Sequence, residues 1–567
     1  MIRILALLCL LGGLSGCHVA PSGPREPADL VLRGGKLATL EAASPQASAI
    51  AICAGRIVAL GEQADIAAWI GPKTQVIELN GRRVIPGIVE SHAHLLGVGE
   101  MREMLDLRSA KSWSEIVRAV EQAARTQPEG TWIRGRGWHQ EKWDAVPADA
   151  VEGWPVRADL DAVAPKHPVK LEHASGHAAI VNGLALAKAD ITADRTDPPG
   201  GRILRDARGQ ATGVLNELAA ELVDPARGSS PAEHEAAVRR RVRLAGEEAL
   251  SLGITSFHDA GETLATVQVL RAMAEAGELP LRLSVMLSEP DEVLAPELSR
   301  VRVLGAGDGM LSVRAIKRYA DGALGSRGAW LLEPYSDAPD TSGLPSISME
   351  ALERSAALAR DHGFQLCVHA IGDRANREVL DVFERVVPAQ QDLRAQRWRI
   401  EHAQHIDRED QRRFGALGVI AAVQTVHCIS DGPWVPARIG AQRAANTAYP
   451  WRSLLAGGAI LCNGTDAPVE ALDPFANFHA AVTRSMASGA LFHPGESLTR
   501  EQALRAATIM GAYAAFQELE IGSLAVGKRA DLVVLNQDIL SVPDDALRDT
   551  RVDFTVLAGR IVYRRAP

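Results

Sequence analysis

Cysteine is scarce in this chain: six among 567 residues, with no two in Cys-x-x-Cys spacing. Scattered singles in a chain of this length do not make a disulfide framework. Aromatic residues are also few, at 4%, which leaves a core built mainly of Ala, Val, Leu and Ile in helices and strands. Excess positive charge is missing as well. With 61 basic against 70 acidic residues the formal net charge is −9 and the pI about 6.0, which argues against nucleic acid as a partner and against a polyanionic substrate. The apolar stretch at residues 4–14 is too short to span a bilayer as a stable helix.

That stretch reads instead as part of a targeting signal. Arg3 supplies a positive charge ahead of it, and Leu14-Ser15-Gly16-Cys17 follows, a tetrapeptide resembling a bacterial lipobox in which the cysteine becomes the lipidated first residue. The alternative is an ordinary secretory peptide with a chance cysteine. Residues 1–16 are thus expected to be a signal peptide and residues 18–28, which contain Pro and Ser, a tether from lipidated Cys17. The expected location is the bacterial cell envelope, outside the cytoplasm and held to a membrane by its lipid. Cys53, Cys367, Cys428 and Cys462 then read as small buried hydrophobes.

The chain is long enough for one large α/β barrel plus smaller additions. Short alternating strands with Gly turns recur over residues 29–84, and ADLVVLNQD and DFTVLAGRIVYR supply a matching set within 519–567. Neither half buries a face alone, so a composite β-sandwich from both termini is expected. Between them, over 85–518, repeated helix-Gly-strand units argue for a parallel sheet, most simply a (β/α)8 barrel with its chemistry at the C-terminal strand ends. Residues about 100–230 are too many for one crossover and read as an insertion after the first barrel strand. Its TWIRGRGWHQEKW and PVKLEHASGHAAIVN segments are read as a lid and one cavity wall, or, equally, Trp132, Trp138 and Trp143 form the insertion's own core.

Within RVIPGIVESHAHLLG (83–97), His92 and His94 stand at i and i+2 of an extended segment, so both imidazoles point the same way and can share one divalent ion. Alone, such a pair is as easily two core or surface histidines. Further strand ends carry Lys317, His369, His402 and, after a Gly-Thr turn, Asp466. Lys317 among apolar neighbours is either a salt-bridge partner or carboxylated by carbon dioxide, giving two oxygens to two metals. A metal site of this kind lowers the pKa of water towards ~7 and polarises a carbonyl, and a carboxylate, here Asp466, serves as base.

These motifs together with SGHAAIVN, GITSFHDAG, DGALGSR, VHAIGDRANREVLD, RIEHAQ, GTDAPVE and IGSLAVGKRADLVVL resemble the amidohydrolase superfamily, within it the amidohydrolase family 3 group that includes YtcJ-like proteins and N-substituted formamide deformylases. The resemblance implies a metal-dependent barrel enzyme acting on C–N bonds. His92 and His94 would bind a first metal, His369 and His402 a second, carboxylated Lys317 would bridge them, and Asp466 would ligate and act as base. His177 would orient the carbonyl. Trp138, His258 and His427 would line the pocket, while Asp321 and Arg327 would bind substrate or brace the site. His139 stands where Gly-Trp-Asp is common, an imidazole in place of a substrate-facing carboxylate. Glu90 stands where Asp is frequent before Ser-His, a change expected to matter little because it precedes the ligands. One or two ions per chain are expected, zinc by default, with manganese, iron or cobalt as alternatives. A small amide-type substrate and a homodimer complete the expectation. The rival readings are a cyclic-amide hydrolase or deaminase on the same site, and a non-catalytic surface solute-binding protein.

Overall fold

The computed structural model describes residues 26–566 apart from 141–142, 175–177, 199, 226–229 and 388–391, so Cys17 and His177 lie outside the described residues. Short Val-, Ile- and Leu-rich segments, buried along nearly their whole length, form the strands of a parallel sheet covered by helices. In chain order they are Ile88–Ala93, Ile254–Glu262, Arg282–Leu287, Leu311–Tyr319, Gln365–Ala370, Arg399–His402, Ile420–Val423 and Ile460–Asn463, each hydrogen-bonded to the next. The helices between them start at clear signals. Pro231–Ser251 opens with a Ser230–Glu233 capping box and a proline in its first turn, and Ser348 caps Met349–Asp361. The result is the (β/α)8 barrel.

The seam between the first and eighth strands is closed by a side chain. Oε1 of buried Glu90 accepts from the Thr465 amide (2.8 Å) and the His92 amide (3.1 Å), and Oε2 accepts from the Thr465 hydroxyl (2.9 Å). Backbone bonds from Asp466 N to His92 O (2.8 Å) and from His94 N to Ala467 O (2.8 Å) complete the junction. Gly464 is required here, because a Cβ would lie 2.3 Å from Glu90 Oε1 and 2.4 Å from the His92 amide nitrogen. Glu90 therefore matters more than its position ahead of the ligands implies: it joins the two segments that deliver His92 and Asp466.

The two chain ends meet in one continuous eight-stranded sheet. Arg83–Pro86 pairs antiparallel with Leu532–Leu535, and Leu32, Ile50 and Val84 share an apolar cluster with Leu532, Val534 and Val556. The Ala54-Gly55 and Ala558-Gly559 hairpin tips, all four residues at positive φ, pack against each other so closely that a Cβ on Gly55 would lie 3.0 Å from Ala558 O. This sheet is clamped to the barrel by buried Arg282 at the start of the third strand, whose Nε and Nη2 donate to Asp531 at 2.6 and 3.1 Å. Cys367, Cys428 and Cys462 are buried thiols and Cys53 is half-buried.

Residues between the first and second barrel strands form a six-stranded sheet with its own core of Trp113, Trp138, Trp143, Leu160 and Leu171. Trp138 is fully buried there, stacked 5.8 Å from Trp143, with its indole N–H donated to Leu171 O at 3.0 Å. It is insertion core, not cavity wall: an indole whose one donor is satisfied by its own sheet has no polar edge left for substrate.

Candidate metal centre

At the C-terminal mouth of the barrel a cavity of about 380 Å3 is lined by His92, His94, Lys317, His369, His402, His427 and Asp466, with an outer wall described below. Strand alternation explains the inward aim of most of them. Lys317 and Tyr319 sit at i and i+2 of the fourth strand, while Arg399 and Glu401 sit likewise on the sixth. His427 arrives on the helix Thr425–Asp431 after the seventh strand. Two of the donors occupy unusual backbone: His402 at φ +74° and Asp466 at φ +59° lie in the left-handed region that side chains disfavour.

Asp466 is the hub. Its Oδ1 lies 3.5 Å from His92 Nε2 and 3.4 Å from His94 Nε2, and its Oδ2 lies 3.9 Å from His427 Nε2. Burial alone would raise its carboxyl, but the His92 and His94 contacts outweigh it and hold it well below the usual carboxylate range. Two groups bring their donor atoms within 4.8 Å of one another: His92, His94 and Asp466, and His402, His427 and Asp466.

The ring nitrogens are oriented from behind. His92 Nδ1 bonds the Glu401 carboxylate, and Glu401 in turn is paired with Arg399 (2.7 Å). Burial would raise Glu401, yet Arg399 and His92 outweigh it and bring it down to about 2. His402 Nδ1 donates to Gln424 Oε1 at 2.7 Å. Both rings thereby present a bare Nε2 to the cavity, the tautomer a metal requires. His427 is held the other way, since the Gln404 amide nitrogen donates to its Nδ1 at 3.0 Å and leaves the proton of the neutral ring on Nε2. Buried Nε2 atoms of His92, His369 and His427 have no hydrogen-bond partner in the protein. The bare Nε2 atoms of His92 and His402 beside the Asp466 carboxylate fit a divalent cation.

The other expected residues are distributed as follows. Lys317 is buried, with burial lowering its pKa and Glu401 and Asp466 opposing, and its Nζ lies 4.7 Å from the Tyr319 ring. His369 meets the His402 ring edge-on at 4.4 Å, but its Nε2 faces Asp321 Oδ1 at 3.5 Å. Asp321 is a brace and not a substrate ligand: its carboxylate accepts from the amides of Trp330, Ile371 and Gly372 at 2.8–2.9 Å. Arg327 pairs with Asp337 (2.9 Å). His258 lies beneath the cavity with Nδ1 3.1 Å from Arg399, and burial with that guanidinium brings it down to about 3, so it is neutral structure and not lining. The His139 ring lies tilted against His173 of the insertion, 4.5 Å between centroids. Arg399, Glu401, Gln404 and Gln424 went unrecognised in the sequence. The available signal was in RIEHAQ, where Arg and Glu two apart put opposite charges on one face of an otherwise buried strand.

Residues 75–563 match the model of the amidohydrolase family. Protein LONG AFTER FAR-RED 3 of Arabidopsis thaliana is 34% identical over 523 residues, covering 90% of this chain and 87% of that protein. The N-substituted formamide deformylase of Arthrobacter pascens is 28% identical over 547 residues, 95% of this chain and 98% of that one. The crystal structure of an uncharacterized metal-dependent hydrolase from Pyrococcus furiosus superposes with a TM-score of 0.74 at 28% identity, over 90% of this chain and 100% of that one. Because the match runs through the terminal sheet, the insertion and all eight barrel strands, this chain belongs to the amidohydrolase family, as a hydrolase of carbon–nitrogen bonds.

Proposed function

We propose that the protein hydrolyses the C–N bond of a small amide or formamide, using one or two divalent ions, zinc first among them, held by His92, His94, His402 and Asp466. The observation that carries this reading is the set of imidazole nitrogens, fixed bare from behind by Glu401 and Gln424, that converge on one ionised carboxylate. The bound ion would supply Lewis acidity toward the carbonyl and a nucleophile from water at neutral pH. Asp466 accepts the proton of the attacking water and returns it to the leaving nitrogen. His427 Nε2–H, 3.9 Å from Asp466, is placed to donate to substrate oxygen or nitrogen. Lys317, kept toward its free-amine form by burial, is placed to carry a carbon dioxide-derived carboxylate as a further ligand. Support for a formamide comes from the Arthrobacter relative, which aligns over nearly its full length.

Asp466→Asn is expected to retain histidine-held metal in elemental analysis while losing about 10²–10⁴-fold in turnover; turnover equal to the parent protein would remove it as the base. The lipobox-like Leu14-Ser15-Gly16-Cys17 supports attachment to a bacterial membrane by acyl chains on Cys17, and the family resemblance supports a homodimer. Among the described residues no helix is long and apolar enough to cross a membrane. Radiolabelled palmitate should enter the full chain and not Cys17→Ser; equal labelling of both would refute the anchor.

A further inference from the structure

Beyond the donor set, the cavity changes character. Its outer wall carries Asp431, Glu470 and Trp434. The two carboxylates follow the donors at one spacing: Asp431 comes four residues after His427, and Glu470 four after Asp466. Four residues on a helix keep one face and advance ~6 Å, so Asp431 stands a turn beyond His427 on Thr425–Asp431. Its position is built in. The hydroxyl of buried Tyr449 donates to Asp431 Oδ2 at 2.6 Å, and Tyr449 is itself fixed by its amide to Gln404 O (2.6 Å) and by Arg484 to its carbonyl (3.0 Å). Burial raises the Asp431 carboxyl, the Tyr449 hydrogen bond and His427 oppose that rise, and the charge of Glu470 adds a smaller push upward. Among the described residues Glu470 makes no ion pair that would neutralise it, the lining contains no arginine, and Lys317 beside the metal donors is its one lysine. Into the same cavity points the buried, unpartnered His427 Nε2.

We infer that this wall is a subsite for a positively charged amine at the far end of the substrate, so that the preferred substrates are small amides of cationic amines. The inference rests on the C–N hydrolase reading and narrows it. A protonated amine here meets the carboxylates of Asp431 and Glu470, which favour a cation. An anionic substrate such as an N-acyl amino acid meets the same two carboxylates with no arginine in the lining, the nearby Arg438 being paired with Asp337, which is discrimination by repulsion. The ~6 Å offset matches a spacer of about four methylenes between the scissile amide and the cation.

The test uses the metal-loaded full chain and three formamides of similar length: N-formyl-1,4-diaminobutane, N-formylpentylamine and 4-formamidobutanoate. The cation is expected to exceed its neutral counterpart in kcat/KM by about tenfold, and the anion to fall below the neutral compound. Asp431→Asn, which keeps an acceptor for Tyr449, and Glu470→Gln should each shrink the cation-to-neutral ratio. Calorimetric binding of 1,4-diaminobutane against pentylamine reads the subsite without turnover. Tighter diamine binding that weakens in both variants supports the subsite even where no formamide is cleaved, a result that would count against the formamide reading alone. Equal or reversed preference in binding and in kcat/KM overturns the subsite while leaving hydrolysis intact.

Discussion

What makes a histidine a ligand here is its neighbour. His92 and His402 have their Nδ1 protons committed to Glu401 and Gln424, so Nε2 is bare, whereas Gln404 sets His427 in the opposite tautomer. Glu401 is the strongest of these controls, because Arg399 keeps it ionised inside the barrel. Glu401→Gln should therefore keep the fold and weaken metal binding by about 10–100-fold, read by competition with a chelator; unchanged affinity would show that His92 needs no carboxylate to orient it. The left-handed backbone at His402 and Asp466 is a second residue-scale control. Such conformations cost ~1–3 kcal/mol each and persist where surroundings impose them, here the Asp466 amide bond to His92 O.

The donors gather at the C-terminal ends of the barrel strands, and the element that holds the array in register is the seam through Glu90. Glu90→Ala would leave the Thr465 amide and hydroxyl unpaired in a buried junction, a loss of about 1–3 kcal/mol in urea unfolding. Glu90→Asp should fall between the two, since a shorter side chain reaches fewer of the three donors; wild-type stability in the alanine variant would refute the closure. Much of this element-level layout was legible in the sequence. His92-x-His94, the Gly-rich turns and the alternation of helix with short apolar strand are local patterns, and locality is what periodicity and turn chemistry report. The strand-end positions of His369, His402 and Asp466 were legible for the same reason. Glu90 bonding Thr465 across 375 residues, or His92 leaning on Glu401 across 309, leaves no local trace. For Trp138 the same limit left cavity wall and insertion core equally open. Gly-, Trp- and His-rich composition marks a cavity wall and an insertion core alike, and only the sheet built from residues 105–217 decides for the core.

At the scale of the whole molecule the chain closes on itself. Its two ends form one sheet, the Arg282–Asp531 pair ties that sheet to the barrel floor, and the mouth on the opposite side gathers donors from strands far apart in sequence. The net charge of −9 has its local counterpart in a cavity with three carboxylates and one lysine, an environment that attracts divalent ions and amines. The most direct test is amine release from N-formylpentylamine and N-formyl-1,4-diaminobutane by one preparation, assayed as purified, after chelator treatment, and after zinc is restored, with metal content measured at each stage. Turnover should vanish with the metal and return as one to two ions per chain are regained. Full turnover in metal-free protein, or a chain that takes up no metal when zinc is offered, would contradict the metal-dependent hydrolase.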